Sequence, residues 1–193
     1  MFKLNIIDDS KPVYKWEHPS HLTEEYLHKY GNGDIFVETG TYMGDTVKLA
    51  LGAGFNRIYS CELNEGLYKN CVDLFKDNTN VTILLGDSID CLKDILTRIE
   101  GPATFWLDAH ASGELIGGKS GGSPVLDELE LIAEHSCKEH TIFIDDRRLF
   151  GSAEWSFVQE KDCIDTIMQI NPKYYIHYLD GHQPGDVICA SVK

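Results

Sequence analysis

The chain has 193 residues, of which 42% are hydrophobic and 25% are charged, a composition typical of globular and not of disordered proteins. Seventeen Lys and Arg stand against 31 Asp and Glu, and the resulting net charge of −14 disfavours binding to nucleic-acid phosphates. No apolar run approaches the roughly 20 residues of a membrane span, and the first residues lack the apolar segment of a signal peptide. We therefore expect a soluble, cytoplasmic protein that binds neither nucleic acid nor membrane.

The six cysteines are scattered without a CxxC pair, and several lie within apolar helix or strand patterns. They are expected to be reduced structural thiols, as in the cytoplasm. No zinc site is indicated, because the cysteines lack ligand spacing and the histidines do not cluster beside them.

The chain order of predicted elements indicates one α/β domain behind an N-terminal appendage. Residues 1–33 form the appendage, with a helix over 21–29 capped by Ser20, and residues 34–193 form the domain. Helices are predicted after each of the first five strands, including one opened by Ser123 and Pro124 and one over 155–170. The predicted strands are 34–38, 57–62, 81–85, 103–108, 141–145, 174–178 and 186–192.

This alternation predicts a doubly wound sheet of seven strands, mostly parallel, with its ligand site at the strand ends. The connection 179–185 is too short for a crossover helix, so the last two strands are expected to form an antiparallel hairpin.

The first candidate ligand motif, ETGTYMGDT at 38–46, lies between the first strand and the next helix. Gly40 and Gly44 let the backbone approach a ligand, and the helix N-terminus favours an anionic group. Their G-x-x-x-G spacing does not match the dinucleotide motif GxGxxG. A glycine turn required only for tight packing remains an alternative.

Two further candidates end the second and third strands. Glu62 lies 24 residues after Glu38, where Rossmann folds use an acid to accept the ribose hydroxyls. Asp87 and Ser88 are placed to bind an adenine edge. The alternatives are a solvated acid before a helix for Glu62 and a helix cap for Asp87 or Ser88.

With these motifs the chain resembles the class I S-adenosylmethionine-dependent methyltransferases over residues 34–192. The matching segments are ETGTYMGDT, CEL, LGDS, FWLDAH and FIDD, and the closing hairpin is similar to that family's reversed seventh strand. Thr41 and Tyr42 depart from the family pattern, which has a second glycine there. The resemblance implies a Rossmann-like methyltransferase fold that binds S-adenosylmethionine, with the methionine part on the glycine motif, the ribose on Glu62 and the adenine near Asp87. The implied cofactor residues are Glu38, Thr39, Gly40, Thr41, Gly44, Asp45, Thr46, Glu62, Asp87, Ser88 and Asp108.

Three acids form a second constellation at the ends of the fourth and fifth strands. If these strands are neighbours, Asp108, Asp145 and Asp146 converge, and three carboxylates repel one another unless protonated or bound to a hard cation. The pattern resembles metal-dependent small-molecule O-methyltransferases of the macrocin, sugar-hydroxyl type. This resemblance implies that the three aspartates hold Mg²⁺ or Mn²⁺, which acidifies an acceptor hydroxyl. Solvated acids at strand ends are the alternative.

The catalytic candidates are Asp108 and His110, either of which can take the proton of the acceptor. His110 can equally be a surface residue. The glycine-rich loop 111–123 is predicted to be a mobile lid. Tyr14, Trp16 and His18 either complete the acceptor pocket or pack outside it, and Arg147 and Arg148 either clamp a substrate anion or neutralise the acids.

The sequence therefore predicts a methyltransferase that transfers a methyl group from S-adenosylmethionine to a hydroxyl of a small molecule, a sugar or similar, with a divalent metal. One alternative is an NAD-dependent oxidoreductase, which the missing third glycine and the terminal hairpin disfavour. The other is a methyltransferase-like binding protein without catalytic activity, since a fold does not establish chemistry.

Overall fold

A computed structural model describes residues 21–109 and 123–192 of the chain. Its sheet has seven strands in the order β3-β2-β1-β4-β5-β7-β6, of which the first five are parallel and β7 runs antiparallel to both β5 and β6. The predicted α/β architecture with its C-terminal hairpin is thus confirmed, and each strand boundary lies within one residue of its prediction. The strands are β1 Ile35–Thr39, β2 Arg57–Glu62, β3 Val81–Leu85, β4 Thr104–Leu107, β5 Thr141–Ile144, β6 Tyr175–Leu179 and β7 Val187–Ser191.

Helices connect the parallel strands, and polar side chains cap several of them. Asn64 accepts hydrogen bonds from two backbone N–H groups at the start of α3, and Asp87 accepts one at the start of α4. The start of α5 differs from its prediction, because Pro124 and not Ser123 is the N-cap and the helix begins at Val125. Ser123 Oγ still accepts the N–H of Val125, at 3.4 Å. The helices are α1 Glu24–Tyr30, α2 Asp45–Gly52, α3 Glu65–Leu74, α4 Ser88–Leu96, α5 Val125–Glu134 and α6 Glu160–Ile170, with a 3₁₀ turn at Arg147–Leu149.

Two further helices begin several residues later than predicted. Helix α1 begins after Thr23, whose hydroxyl accepts the N–H of Tyr26, and not directly after Ser20. Helix α6 begins five residues later than the apolar spacing indicated, because Ser156 and Phe157 have positive φ angles of 49° and 60°, which an α-helix excludes. Trp155 lies in the turn before them and is buried there. Its place in the apolar pattern is therefore explained by burial, and it does not belong to the helix.

Both faces of the sheet are covered, which explains why its strands read as nearly continuous apolar runs. Along β4, Phe105 and Leu107 pack on the side of α4, α5 and α6, while Trp106 packs on the side of α1, α2 and α3. All three side chains are buried. The carboxyl ends of the five parallel strands therefore meet at one edge, between two helical layers.

The described part of the N-terminal segment packs onto the domain. Leu22, Leu27 and Tyr30 are buried in the layer with α2 and α3, and the Thr141 hydroxyl donates to the carbonyl oxygen of Tyr30 at 2.6 Å. The domain boundary at residue 33 stays a prediction.

All six cysteines are free thiols, as expected. Within the described ranges, no helix combines the length and apolar character that crossing a bilayer requires.

Candidate functional site

The glycine motif forms the turn between β1 and α2. Gly40 has φ 91°, and a Cβ atom there would lie 2.9 Å from the carbonyl oxygen of Asp108, so the turn needs glycine for its backbone angle and for this close approach. Gly44 has φ 75° and precedes the first residue of α2, Asp45. These glycines are therefore required by packing, and their presence alone does not establish a ligand. They do leave the turn open toward the strand edge, since Tyr42 and Met43 remain exposed.

Glu38 lies buried beneath this turn. Its Oε2 accepts a hydrogen bond from Ser60 Oγ at 2.5 Å, and the Ser60 hydroxyl also contacts Thr41 Oγ1 at 2.6 Å. Burial raises the pKa of Glu38 to about 8, against the hydrogen bonds from Ser60 and Thr46 that lower it, and the charge of Asp108 adds to the rise. Glu38 thus serves as an internal support of the turn, and its carboxyl group is largely protonated at neutral pH.

Glu62 holds the turn against the end of β2. Its Oε2 accepts the N–H of Tyr42 and its Oε1 accepts the N–H of Asn64, both at 2.8 Å. Each carboxylate oxygen has a second lone pair, so both can still accept a hydroxyl. Leu63 and Leu85, beside Glu62 along the chain and across the β2–β3 register, are 49% and 47% exposed. This combination offers polar acceptors and apolar surface to one ligand.

Asp87 ends the turn after β3 and caps α4, with its Oδ1 3.1 Å from the N–H of Ile89. The cap predicted as an alternative is therefore present, and it is made by Asp87 and not by Ser88. Ser88 is the first residue of the helix and is buried. The candidates at 38–46, Glu62 and Asp87–Ser88 follow three adjacent strands and line one edge of the sheet.

The acids after β4 and β5 are neighbours, since Leu107 pairs with Ile144 and the Asp145 N–H donates to the Leu107 carbonyl oxygen. Within the described residues, however, the cluster whose ligand atoms all lie within 4.8 Å of one another joins His21, Asp145 and Asp146. Asp108 is not one of its members. His21 Nδ1 lies 2.8 Å from Oδ2 and 3.1 Å from Oδ1 of Asp145. The hydrogen bond to Asp145 raises the pKa of His21, against its partial burial.

Arg148 forms an ion pair with Asp146, the second of the two acids after β5. Its Nη1 is bonded to Asp146 and to the fully buried side chain of Asp186, and its N–H donates to Asp186 Oδ1 at 2.9 Å. The sequence left two roles open for the arginines, and the contacts of Arg148 fit the second, in which it neutralises nearby acids. Arg147 instead pairs with Glu160 and lies over the ring of Tyr178.

Sequence reasoning missed two residues of this edge, His21 and Glu128. His21 is 124 residues from Asp145, and no local pattern connects them. Glu128 reads as an ordinary acid of the first turn of α5, yet it is buried beside Asp108 in a pocket at the end of β4. The catalytic candidate His110, the lid 111–123 apart from Ser123, and the candidates Tyr14, Trp16 and His18 lie outside the described residues.

Comparison with known proteins shows similarity at the level of the fold. No family model and no curated sequence matches the chain. A putative rRNA methylase from Clostridium thermocellum is 14% identical, with a TM-score of 0.58 and coverage of 87% of this chain and 94% of that one. An O-methyltransferase from Bacillus cereus in complex with SAH is 16% identical, with a TM-score of 0.56 and coverage of 83% and 74%.

A third structure, a putative caffeoyl-CoA O-methyltransferase from Staphylococcus aureus, is 11% identical, with a TM-score of 0.55 and coverage of 87% and 80%. At such identities a likeness establishes shared architecture and leaves substrates open. Combined with the strand order β3-β2-β1-β4-β5-β7-β6, it shows that this chain has the Rossmann-like fold of the methyltransferases.

Proposed function

We propose that this protein transfers a methyl group from S-adenosylmethionine to a hydroxyl of a small molecule. The observation that carries the proposal is the alignment of the glycine turn, Glu62 and Asp87 after three adjacent strands, next to the rim acids after β4 and β5. The net charge of −14 favours a small acceptor over a nucleic acid or an anionic membrane surface.

The residues at this edge fit the cofactor. Gly40 lets the turn after β1 pack closely against the backbone of Asp108, which brings the ends of β1 and β4 together at this edge. Glu62 retains lone pairs for two ribose hydroxyls, and exposed Leu63 and Leu85 offer apolar surface to a purine ring. When bound, S-adenosylmethionine supplies a methyl group on a positively charged sulfur.

The rim also fits a divalent ion. The His21 nitrogen and the carboxylates of Asp145 and Asp146 offer three donors within 4.8 Å of one another, and Mg²⁺ and Mn²⁺ take carboxylate ligands. Asp108, the third aspartate that the sequence suggested as a ligand, remains a candidate on the adjacent strand. When bound, the ion lowers the pKa of a coordinated hydroxyl.

The chain's own residues have two tasks in this reaction. They align the acceptor oxygen with the methyl group and the sulfur, which supplies most of the rate enhancement in a step that neutralises charge. They also remove the hydroxyl proton, for which Asp108 is the described candidate, because its carboxyl group lines the pocket at the end of β4. His110 remains the second candidate.

Calorimetry tests the cofactor assignment. S-adenosylmethionine and its product S-adenosylhomocysteine should bind, and Glu62→Ala should weaken both by about 1–3 kcal/mol through loss of the ribose hydrogen bonds. Glu65→Ala is the matched control, because Glu65 is exposed at the start of α3, three residues after Glu62, and its carboxylate pairs with Lys69. Binding of NAD without binding of S-adenosylmethionine would instead support the oxidoreductase.

Activity separates an enzyme from a binding protein. Hydroxylated sugars and catechols are screened with S-adenosylmethionine, with and without a chelator and with Mg²⁺ or Mn²⁺ added back. Metal-dependent turnover is expected, and full activity in excess chelator would remove the ion from the proposal. Cofactor binding without methylation of any acceptor in the screen would favour the binding protein.

A further inference from the structure

Glu128 places a buried carboxyl group at the end of β4. The residue is 1% exposed, and neither of its carboxyl oxygens has a partner with hydrogen-bond geometry among the described residues. The hydroxyls of Ser88 and Thr39 interact with it closely enough to lower its pKa, but neither is placed to make a full hydrogen bond. A buried carboxyl group without a partner is costly, so such a group indicates a partner that arrives with a ligand.

The position of this carboxyl group coincides with the candidate cofactor edge. Glu128 lines a pocket with Asp108 at the end of β4, between apolar walls that include Leu107 and Trp155. Thr39 directly precedes the Gly40 turn, and Ser88 directly follows Asp87. The group thus lies between the first and third strand ends of the proposed cofactor site.

Among the described residues, the groups that shift the pKa of Glu128 are acids and hydroxyls. Asp108 comes from the end of β4 and Asp87 from the turn before α4, and both raise its pKa. From β2 it faces the thiol of Cys61. Burial is the largest cause, and together these effects raise the pKa of Glu128 to about 8. A cation bound in this pocket would favour the ionised carboxylate, whereas a neutral ligand would not.

We propose that Glu128 faces the positively charged sulfur of bound S-adenosylmethionine and makes the site prefer this cofactor over its uncharged product. The proposal rests on the proposed function. The two ligands share the nucleoside and the amino-acid part and differ in the methyl group and its charge. A carboxylate near the sulfur therefore changes the affinity for one ligand and not for the other, whereas contacts to the ribose or adenine affect both equally. Such a preference assists product release, since the attraction ends when the methyl group leaves.

The test compares S-adenosylmethionine, S-adenosylhomocysteine and sinefungin, an analogue with a charged amine in place of the sulfonium. Glu128→Gln keeps the size of the side chain and removes its charge. It should weaken binding of the two charged ligands at least fivefold at pH 8 and change binding of S-adenosylhomocysteine less than twofold. Glu130→Gln, exposed two residues further along α5, is the control and should change none of the three.

The pH dependence provides a second readout. Raising the pH from 6.5 to 8.5 ionises Glu128, so the ratio of S-adenosylmethionine affinity to S-adenosylhomocysteine affinity should rise in the native protein. The rise should be smaller in Glu128→Gln. Glu38, whose pKa is also about 8, titrates in both proteins, so the difference between them is the measured quantity.

Three results would contradict the proposed role of Glu128. Equal weakening of all three ligands would assign Glu128 a purely structural role, and unchanged binding would place it away from the ligand charge; either result overturns the proposal. If Glu128→Gln fails to fold, proton release on binding is measured for the native protein and for Glu38→Gln, in buffers of different ionisation enthalpy. Both proteins should release more protons with S-adenosylmethionine than with S-adenosylhomocysteine, and equal release by Glu38→Gln overturns the proposal. If neither ligand binds the native protein, the proposed function fails as well.

Discussion

A pair of histidines at the amino-terminal edge of the sheet should make a contribution to stability that is lost in mild acid. His140 is fully buried, its Nδ1 accepts the N–H of Ala103 at 3.1 Å, and its Nε2 lies 3.0 Å from His135 Nδ1. His135 Nε2 lies 3.1 Å from the carbonyl oxygen of Ile99 and therefore carries a proton. It follows that Nε2–H of His140 donates to Nδ1 of His135. A proton on Nδ1 of His140 would break the hydrogen bond from Ala103.

The size of the effect follows from the pKa of His140. Burial, aided by the neighbouring His135, lowers this pKa from the ordinary value of 6.5 to about 4. Between pH 4 and pH 6.5, His140 is therefore protonated in the unfolded chain but largely neutral in the folded protein. The stability contribution is complete above pH 6.5 and is lost as the pH falls toward 4. By linkage, the loss of this His140 contribution should lower the free energy of unfolding by about 2 kcal/mol between pH 7.5 and pH 5, and by about 3 kcal/mol near pH 4. Glu38 and Glu128, whose buried carboxyl groups have pKa values raised to about 8, act in the opposite direction, so the measured quantity is the difference between the native protein and a variant without His140.

Urea denaturation at pH 7.5 and pH 5 measures this difference. His140→Gln should be less stable than the native protein at pH 7.5, and this difference should shrink by about 2 kcal/mol at pH 5. His28→Gln is the control, since His28 is exposed on α1, and its difference from the native protein should be the same at both pH values. If the difference between His140→Gln and the native protein does not change with pH, the buried histidine does not contribute as described and the reasoning is refuted.

Three further changes test other parts of the structure. Gly40→Ala should cost about 1–3 kcal/mol in urea denaturation because of its positive φ and its approach to Asp108, whereas Gly54→Ala, with φ 87° and open space, should cost about 1 kcal/mol. Asp186→Asn should lower the free energy of unfolding by about 3 kcal/mol, since it removes a buried partner of Arg148, and an unchanged melting temperature would contradict this. Asp145→Asn should reduce turnover yet leave cofactor affinity in calorimetry nearly unchanged, because the proposed function assigns Asp145 and Asp146 to the acceptor and not to the sulfur. A parallel loss of affinity would place these acids within the cofactor site.

The alternation of apolar strands and amphipathic helices was enough to predict the sheet. Each strand is short, apolar and bounded by polar or glycine residues, so its limits are encoded locally. The hairpin followed from the length of one connection, since seven residues cannot hold a crossover helix. Helix starts were less reliable where turns supplied the signal. The positive φ angles at Ser156 and Phe157 depend on the packing of Trp155, which spacing alone does not reveal.

For the candidate site, the residue pattern was sufficient to predict which polar residues end the strands, because parallel strands bring their carboxyl ends to one edge. Glu62, Asp87 and the rim acids were predicted there on this basis. The contacts between these side chains depend on tertiary packing. It brought His21 to Asp145 across 124 residues, gave Asp146 to Arg148 and buried Glu128 without a partner. Such contacts depend on how whole elements pack, and a charged residue in a helix carries no local mark of the face it will bury.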